Sequence, residues 1–146
     1  MRLNSTILVC IFSVAIIIGS GSAAIAVEKG VLYRFCKPFT DGAFEVSNAN
    51  DVYCLAYFTA VADVANDSCD LYQKLLDPNI IQYPDESATE RLRTTKETHS
   101  ANMDSETDLH AAIQDFVNKV AKEPKSWKYN SGWAVLQSLK TVAPCE

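Results

Sequence analysis

Asn50-Asp51-Val52-Tyr53-Cys54-Leu55-Ala56-Tyr57-Phe58-Thr59-Ala60-Val61-Ala62-Asp63-Val64-Ala65-Asn66 opens with residues able to cap a helix, Asn50 or Asp51, and nearly everything after them is apolar or small. Such a run suits a helix that other helices surround, because no side of it prefers water. The alanines at 56, 60, 62 and 65 let neighbours approach closely, while Tyr53, Tyr57, Phe58 and Val61 fill the space between. Cys54 lies one turn in and Cys69 just past the far end. At helical rise they are about 20 Å apart, too far to bond each other, so each needs a partner elsewhere. The stretch reads as core, and function is to be sought in other residues.

Residues 1–26 read as a cleaved signal peptide. Arg2 gives the basic start, 3–18 is an apolar run broken only by Asn4, Ser5, Thr6 and Ser13, and 19–26 is a small-residue zone with cleavage expected after Ala26. The clean apolar run 7–18 falls short of the roughly 20 residues of a spanning helix, which favours export over anchoring. Residues 27–146 then form one helical domain with a polar insert near 77–104. Of 5 cysteines, Cys10 leaves with the signal, and Cys36, Cys54, Cys69 and Cys145 remain as a disulfide framework. None of their spacings is that of a zinc site, and His99 and His110 have no second histidine or cysteine ligand at helical spacing, so no metal is expected. The whole chain carries a formal charge of −5, and losing Arg2 makes the exported part more acidic. That balance disfavours nucleic acid and anionic lipid and favours a basic protein partner.

The fold class is all-α, a disulfide-stapled bundle of about four to six helices. Residues 28–36 predict a first helix with Val31, Leu32 and Phe35 inward, ended by Pro38. Pro38, Asp41-Gly42 and Ser47-Asn48 make 37–49 a loop into the central helix. Helices joined by a short loop run antiparallel, which sets Cys36 beside Cys54. After the central helix, Asp67-Ser68 opens a separate helical segment carrying Leu71, Tyr72, Leu75 and Leu76, stopped by Pro78. Residues 80–84 read as loop. From 85 to 104 the chain is polar, with Leu92 the only large aliphatic before Met103, and is either a solvated helix or a mobile insert.

Ser105 through Asp108 is a helix-capping signature, after which Leu109, Ala112, Ile113, Phe116, Val117, Val120 and Ala121 repeat on one face until Pro124. His110 falls away from that stripe and is expected in solvent. Ser131 is read as the cap of a last helix in which Trp133, Leu136, Leu139, Lys140 and Ala143 align before Pro144-Cys145. With Cys36 paired to Cys54, Cys145 is left for Cys69.

No nucleophile, acid or base stands in a recognisable catalytic arrangement: the chain has no G-x-S-x-G, no H-E-x-x-H and no glycine-rich phosphate loop. Cys69 with His99 or His110 would make a Cys-His pair, but export favours oxidised cysteines. No enzyme activity and no cofactor are expected; a small acidic stapled domain has the look of a binding or inhibitor protein.

Cys36 at the end of a short helix, the run Cys54-Leu55-Ala56-Tyr57 with Val61-Ala62-Asp63, the amphipathic helix before Pro124, and the last helix closing in Pro144-Cys145 carry a resemblance. Together with the signal peptide, they resemble the amidase-immunity proteins of type VI secretion, the Rap/Tai group. The resemblance implies a periplasmic, mostly helical, often dimeric protein that binds a secreted peptidoglycan amidase and occludes its catalytic cleft. A second reading, of another class, is a periplasmic acid-stress chaperone in which the carboxylate-rich segment 85–108 is released by protonation. For an inhibitor, the loop holding Lys125, Trp127, Lys128 and Tyr129 is the candidate partner-binding element, because rigid aromatics anchor interfaces well. Its alternative is that Trp127 folds back over the bundle end; the interface would then fall on the acidic faces around Asp104, Glu106 and Asp108.

Overall fold

Five helices account for nearly all regular structure in a computed structural model that describes residues 27–81, 86–103 and 105–146. The expected signal peptide at 1–26 lies outside the described residues. The helices are α1 Lys29–Asp41, α2 Ala49–Leu76, α3 Glu86–His99, α4 Glu106–Lys122 and α5 Ser131–Val142, with a 3-10 turn at Pro124–Ser126. The all-α reading holds, and no described helix is long and apolar enough to cross a membrane.

The central helix differs from expectation at both ends. Its cap is Asn48, whose Oδ1 accepts from the amides of Asn50 at 2.8 Å and Asp51 at 3.3 Å. Asp51 is inside the first turn, where its Oδ2 accepts from the Asn48 amide at 3.0 Å and the Ser47 amide at 2.9 Å. This is a reciprocal capping box with Asp in the place that Glu usually takes. The helix then runs through Asp67, Ser68 and Cys69 as a single element of 28 residues. The Ser68 hydroxyl donates back to the Val64 carbonyl at 2.7 Å, so its polarity is absorbed within the helix instead of ending it. The end comes at Asp77, ahead of Pro78, where the proline ring disfavours helical geometry.

Nor is α2 surrounded. Its buried residues, Asp51, Cys54, Phe58, Ala62, Ala65 and Cys69, make one stripe, while Val52, Tyr53, Val64 and Leu71 are exposed. Against the buried stripe lie α1, α4 and α5; Phe58 meets Phe116 edge-on with centroids 5.5 Å apart.

In α1 the helix continues past Pro38 to Asp41, contrary to the sequence reading. A proline removes one helical hydrogen bond and crowds the preceding turn. Here the inner face of Leu32, Cys36 and Phe39 is buried on both sides of the proline, and the bond from Cys36 fixes the turn before it. Gly30, Leu32, Cys36 and Phe39 face inward, whereas Val31 and Phe35 are half-buried. Both expected disulfides are present: Cys36–Cys54, with Cα atoms 5.1 Å apart, and Cys69–Cys145, at 5.7 Å.

The amphipathic helix α4 begins where expected, with the Ser105 hydroxyl accepting from the Asp108 amide at 3.1 Å. Ala112, Ile113, Phe116, Val117 and Val120 are buried; Ala121 is exposed and outside the stripe. Of the two readings of the polar segment, the solvated helix is found: α3 packs on α2 but contains no buried residue. Ser100, Ala101 and Met103 just after it are buried, so the polar insert ends sooner than its composition suggests. The Asn66 side-chain amide donates to the Met103 carbonyl at 2.9 Å, and its Oδ1 accepts from the Met103 amide at 2.7 Å. The Asn102 amide donates to the Ala143 carbonyl at 2.9 Å, which ties the same strap to the C-terminus. In α5 the cap is Asn130, which accepts from the Gly132 amide at 2.7 Å; Ser131 is buried inside the helix.

Phe116→Ala is expected to cost about 3–5 kcal/mol in urea denaturation, and Leu92→Ala less than about 1 kcal/mol. A second expectation concerns acid. The Ser47 amide, then the Ser47 hydroxyl and the Asn48 donors, hold the Asp51 carboxyl below its ordinary 3.8 against the opposing effect of burial. Its contribution to stability is therefore complete above pH 3.8 and lost as the pH falls through the lower folded-state value. Asp51→Asn should lower Tm by a steady margin between about pH 5 and 8, with the margin closing below about pH 4. A margin constant down to strong acid would show that the charge contributes nothing.

Candidate protein-binding surface

The loop expected to meet a partner is built from the end of α4. Pro124 cannot extend that helix, and the Ser126 hydroxyl donates to the Glu123 carbonyl at 2.9 Å, closing the 3-10 turn. The turn sends the Trp127 ring inward, where its Nε1–H donates to the Val120 carbonyl at 2.9 Å and its ring lies 5.1 Å from that of Tyr33. Gly30 permits this approach: a Cβ there would stand 3.0 Å from the Trp127 Cβ. Trp127 thus covers the bundle end, the alternative weighed for it. The loop is also stitched to the start of α1, with the Lys29 amide donating to the Tyr129 carbonyl at 2.8 Å and the Gly30 amide to the Trp127 carbonyl at 2.9 Å. Lys125, Lys128 and Tyr129 point outward; Tyr129 is 58% exposed, with Lys128 Nζ 5.7 Å and Lys29 Nζ 6.0 Å from its ring centre.

The loop leads directly into a surface that sequence reasoning missed. After the Asn130 cap, Gly132, Trp133 and Leu136 of α5 form one wall of an apolar groove of about 410 Å³, and Tyr57, Ala60, Val61 and Val64 of α2 form the other. His99, the last residue of α3, closes one side with its ring 5.9 Å from that of Trp133. Trp133 is 51% exposed and Val64 67%. The Tyr57 hydroxyl pairs with the Ser131 hydroxyl at 2.8 Å, which fixes the groove floor to the start of α5. The sequence aligns Trp133 with Leu136 and Leu139 along one stripe of this helix. Ser131, Val135, Ser138 and Leu139 instead face the core and turn Trp133 out.

Along the other flank of the exposed face of α2, Asp63, Asp67 and Asp70 follow at steps of four and three. All three are exposed, and none of their carboxylates has a hydrogen bond or ion pair among the described residues. Of the other acidic positions, Asp104 lies outside the described residues, Glu106 sits 3.7 Å from His110, and Asp108 accepts from the Ser105 hydroxyl at 2.8 Å. His110 is not simply in solvent: it stacks on Phe44 at 4.4 Å and meets Phe39 edge-on at 6.0 Å. The chain reaches this stack through Ala43 at φ 56° and Phe44 at φ 65°, a left-handed pair that hydrophobic periodicity does not reveal.

All four described cysteines are in disulfides, which leaves no thiolate to pair with His99 or His110. Among the described residues no three His, Cys, Asp or Glu side chains are grouped so as to hold a metal ion. No family model, curated protein or solved structure matches the chain.

Trp127→Ala is expected to cost about 2–3 kcal/mol, because it removes a packed ring and leaves the Val120 carbonyl without its donor. Gly30→Ala should cost about 1–3 kcal/mol through overpacking against the same ring. Thermal melts of the two variants check both; an unchanged Tm in Trp127→Ala would return that residue to the candidate interface.

Proposed function

We propose that this chain is an exported immunity protein, an inhibitor that binds a secreted peptidoglycan amidase and occludes its catalytic cleft. The observation that carries the reading is the groove between α2 and α5, with Trp133 at its rim and about half exposed. Exposed apolar surface of this kind marks interaction sites, and tryptophan and tyrosine are the usual anchors of protein interfaces. Tyr129, exposed just before the start of α5, adds a second exposed aromatic on the stitched loop. Two disulfides suit an oxidising compartment such as the periplasm, and a charge of −5 suits a basic enzyme as partner. The resemblance in the helix and cysteine pattern names the class of that enzyme. The acid-released chaperone gains less support: within 85–108, the strap Ala101 to Met103 is held by backbone groups and the Asn66 amide, which do not titrate.

The purified mature chain is expected to inhibit hydrolysis of isolated peptidoglycan by its cognate amidase. Trp133→Ala should weaken that complex ten-fold or more, about 1.4 kcal/mol, with little change in Tm. Failure of a ten-fold molar excess to inhibit any secreted amidase encoded near its gene would overturn the reading. A fall in Tm with inhibition intact would return Trp133 to the fold and move the interface elsewhere.

A further inference from the structure

The central helix carries a second apolar stripe that its own bundle leaves open except at Tyr57, which is half-buried against the core. Tyr53, Tyr57, Ala60, Val64 and Leu71 recur along α2 at steps of four and three, the spacing of a coiled-coil seam, with Asp67 in the remaining place of the repeat. The stripe lies across the helix from the buried Cys54, Phe58, Ala62, Ala65 and Cys69. Tyr53 is 42% exposed, Val64 67% and Leu71 54%. From its first to its last member the seam runs about 27 Å at helical rise, and Ala60 near its middle lets another helix come close.

The flank of this seam is charged in one sense. Asp63 stands one turn after Ala60, Asp67 one turn after Val64, and Asp70 continues the row. Lys74, the only base on the helix, forms no ion pair with any of them. Three unpaired carboxylates beside an apolar stripe repel an acidic neighbour and attract a basic one. A second copy of the chain packed antiparallel along the seam would set this acidic flank against itself.

We infer that the α2 seam docks an amphipathic helix of a basic protein partner. The apolar stripe of that helix lies along Tyr53 to Leu71, and its lysines or arginines meet Asp63, Asp67 and Asp70. The inference rests on the reading that the chain works by binding a protein, and names the chemistry of what it binds. Helix-in-groove recognition of this kind uses apolar anchors for affinity and flanking charge for orientation.

The test uses the mature, disulfide-bonded chain and two synthetic helical peptides of about 21 residues, three heptads, with leucine at the seam positions. One carries lysine on the flank and the other glutamate at the same places; binding is followed by fluorescence anisotropy. The lysine peptide is expected to bind at least ten-fold more tightly than the glutamate peptide. Val64→Glu, and separately the combined Asp63→Asn, Asp67→Asn and Asp70→Asn change, should each weaken it ten-fold or more. Neutralising Glu86, Glu90 and Glu97 on α3 removes the same charge and should leave affinity within two-fold. Equal binding of the two peptides overturns the inference, as does an equal loss in the α3 control. So does sedimentation showing that the unliganded chain is a dimer that Val64→Glu dissociates, because the seam would then be filled by a second copy. Since no amidase takes part, a negative result counts against the seam alone and leaves the inhibitor reading to its own assay.

Discussion

Two covalent bonds to one face of a single helix organise this molecule. Cys54 and Cys69 lie on the same side of α2, about 22 Å apart at helical rise; one holds α1 through Cys36 and the other holds the C-terminus through Cys145. The bonds close loops of 18 and 76 residues. Constraint of the unfolded chain makes those loops worth about 3 and about 4.5 kcal/mol, comparable to the whole stability margin of a small domain. Everything between them must then pack on the face they mark. Phe58, Ala62 and Ala65 occupy that interval, with Phe116, Ile113 and Leu139 closing over it. The opposite face of α2 is left to solvent by the same geometry, since no helix can be tied to one side and wrapped around the other.

Legibility in the sequence followed the range of the interactions. The capping signature at Ser105 and the stripe through Phe116 are local, and both stand where periodicity puts them. The cysteine pairing was readable because a short loop leaves the first two helices little freedom of direction. The single length of α2 was not, because Asp67-Ser68 looks like a boundary until the Ser68 hydroxyl is seen bonded to Val64 within the same helix. Pro38 misled for a related reason: its local cost is real, but buried Phe39 beyond it lies in contact with the core. Least readable was the strap from Ser100 to Met103, whose polar approach hides an anchor on Asn66, a contact across 37 positions.

The candidate site shows the same division between local pattern and distant partner. Trp127 and Trp133 both stand among small or polar neighbours, and composition left the first open between a projecting anchor and a cover for the bundle end while aligning the second with Leu136 and Leu139. The structure decides both: the Trp127 indole N–H finds the Val120 carbonyl and covers the bundle end, and Ser131, Val135, Ser138 and Leu139 take the inner face of α5 and leave Trp133 outside. Serine is a weak signal for burial, yet the Ser131 hydroxyl is satisfied by the Val27 carbonyl at 2.7 Å and the Tyr57 hydroxyl at 2.8 Å. With Ser131, Val135, Ser138 and Leu139 filling that side of α5, Trp133 falls on the outer face.

An exposed valine or tyrosine alone calls for no explanation, since folded proteins keep much apolar surface in water. Order does call for one. The apolar residues opposite the disulfides keep heptad steps along α2 even though, of them, only Tyr57 packs against the core. The surface they share with α5 is also stiff: one wall is a helix pinned at Cys54 and Cys69, and the other is fixed by the Ser131 pairing and by the loop stitched to α1. A partner meeting such a surface has few torsions to freeze, so more of the contact energy remains as affinity. The disulfides that stabilise this small domain therefore also fix the shape of the face they leave uncovered, so the rigidity of one helix ties the covalent framework to the geometry of that face.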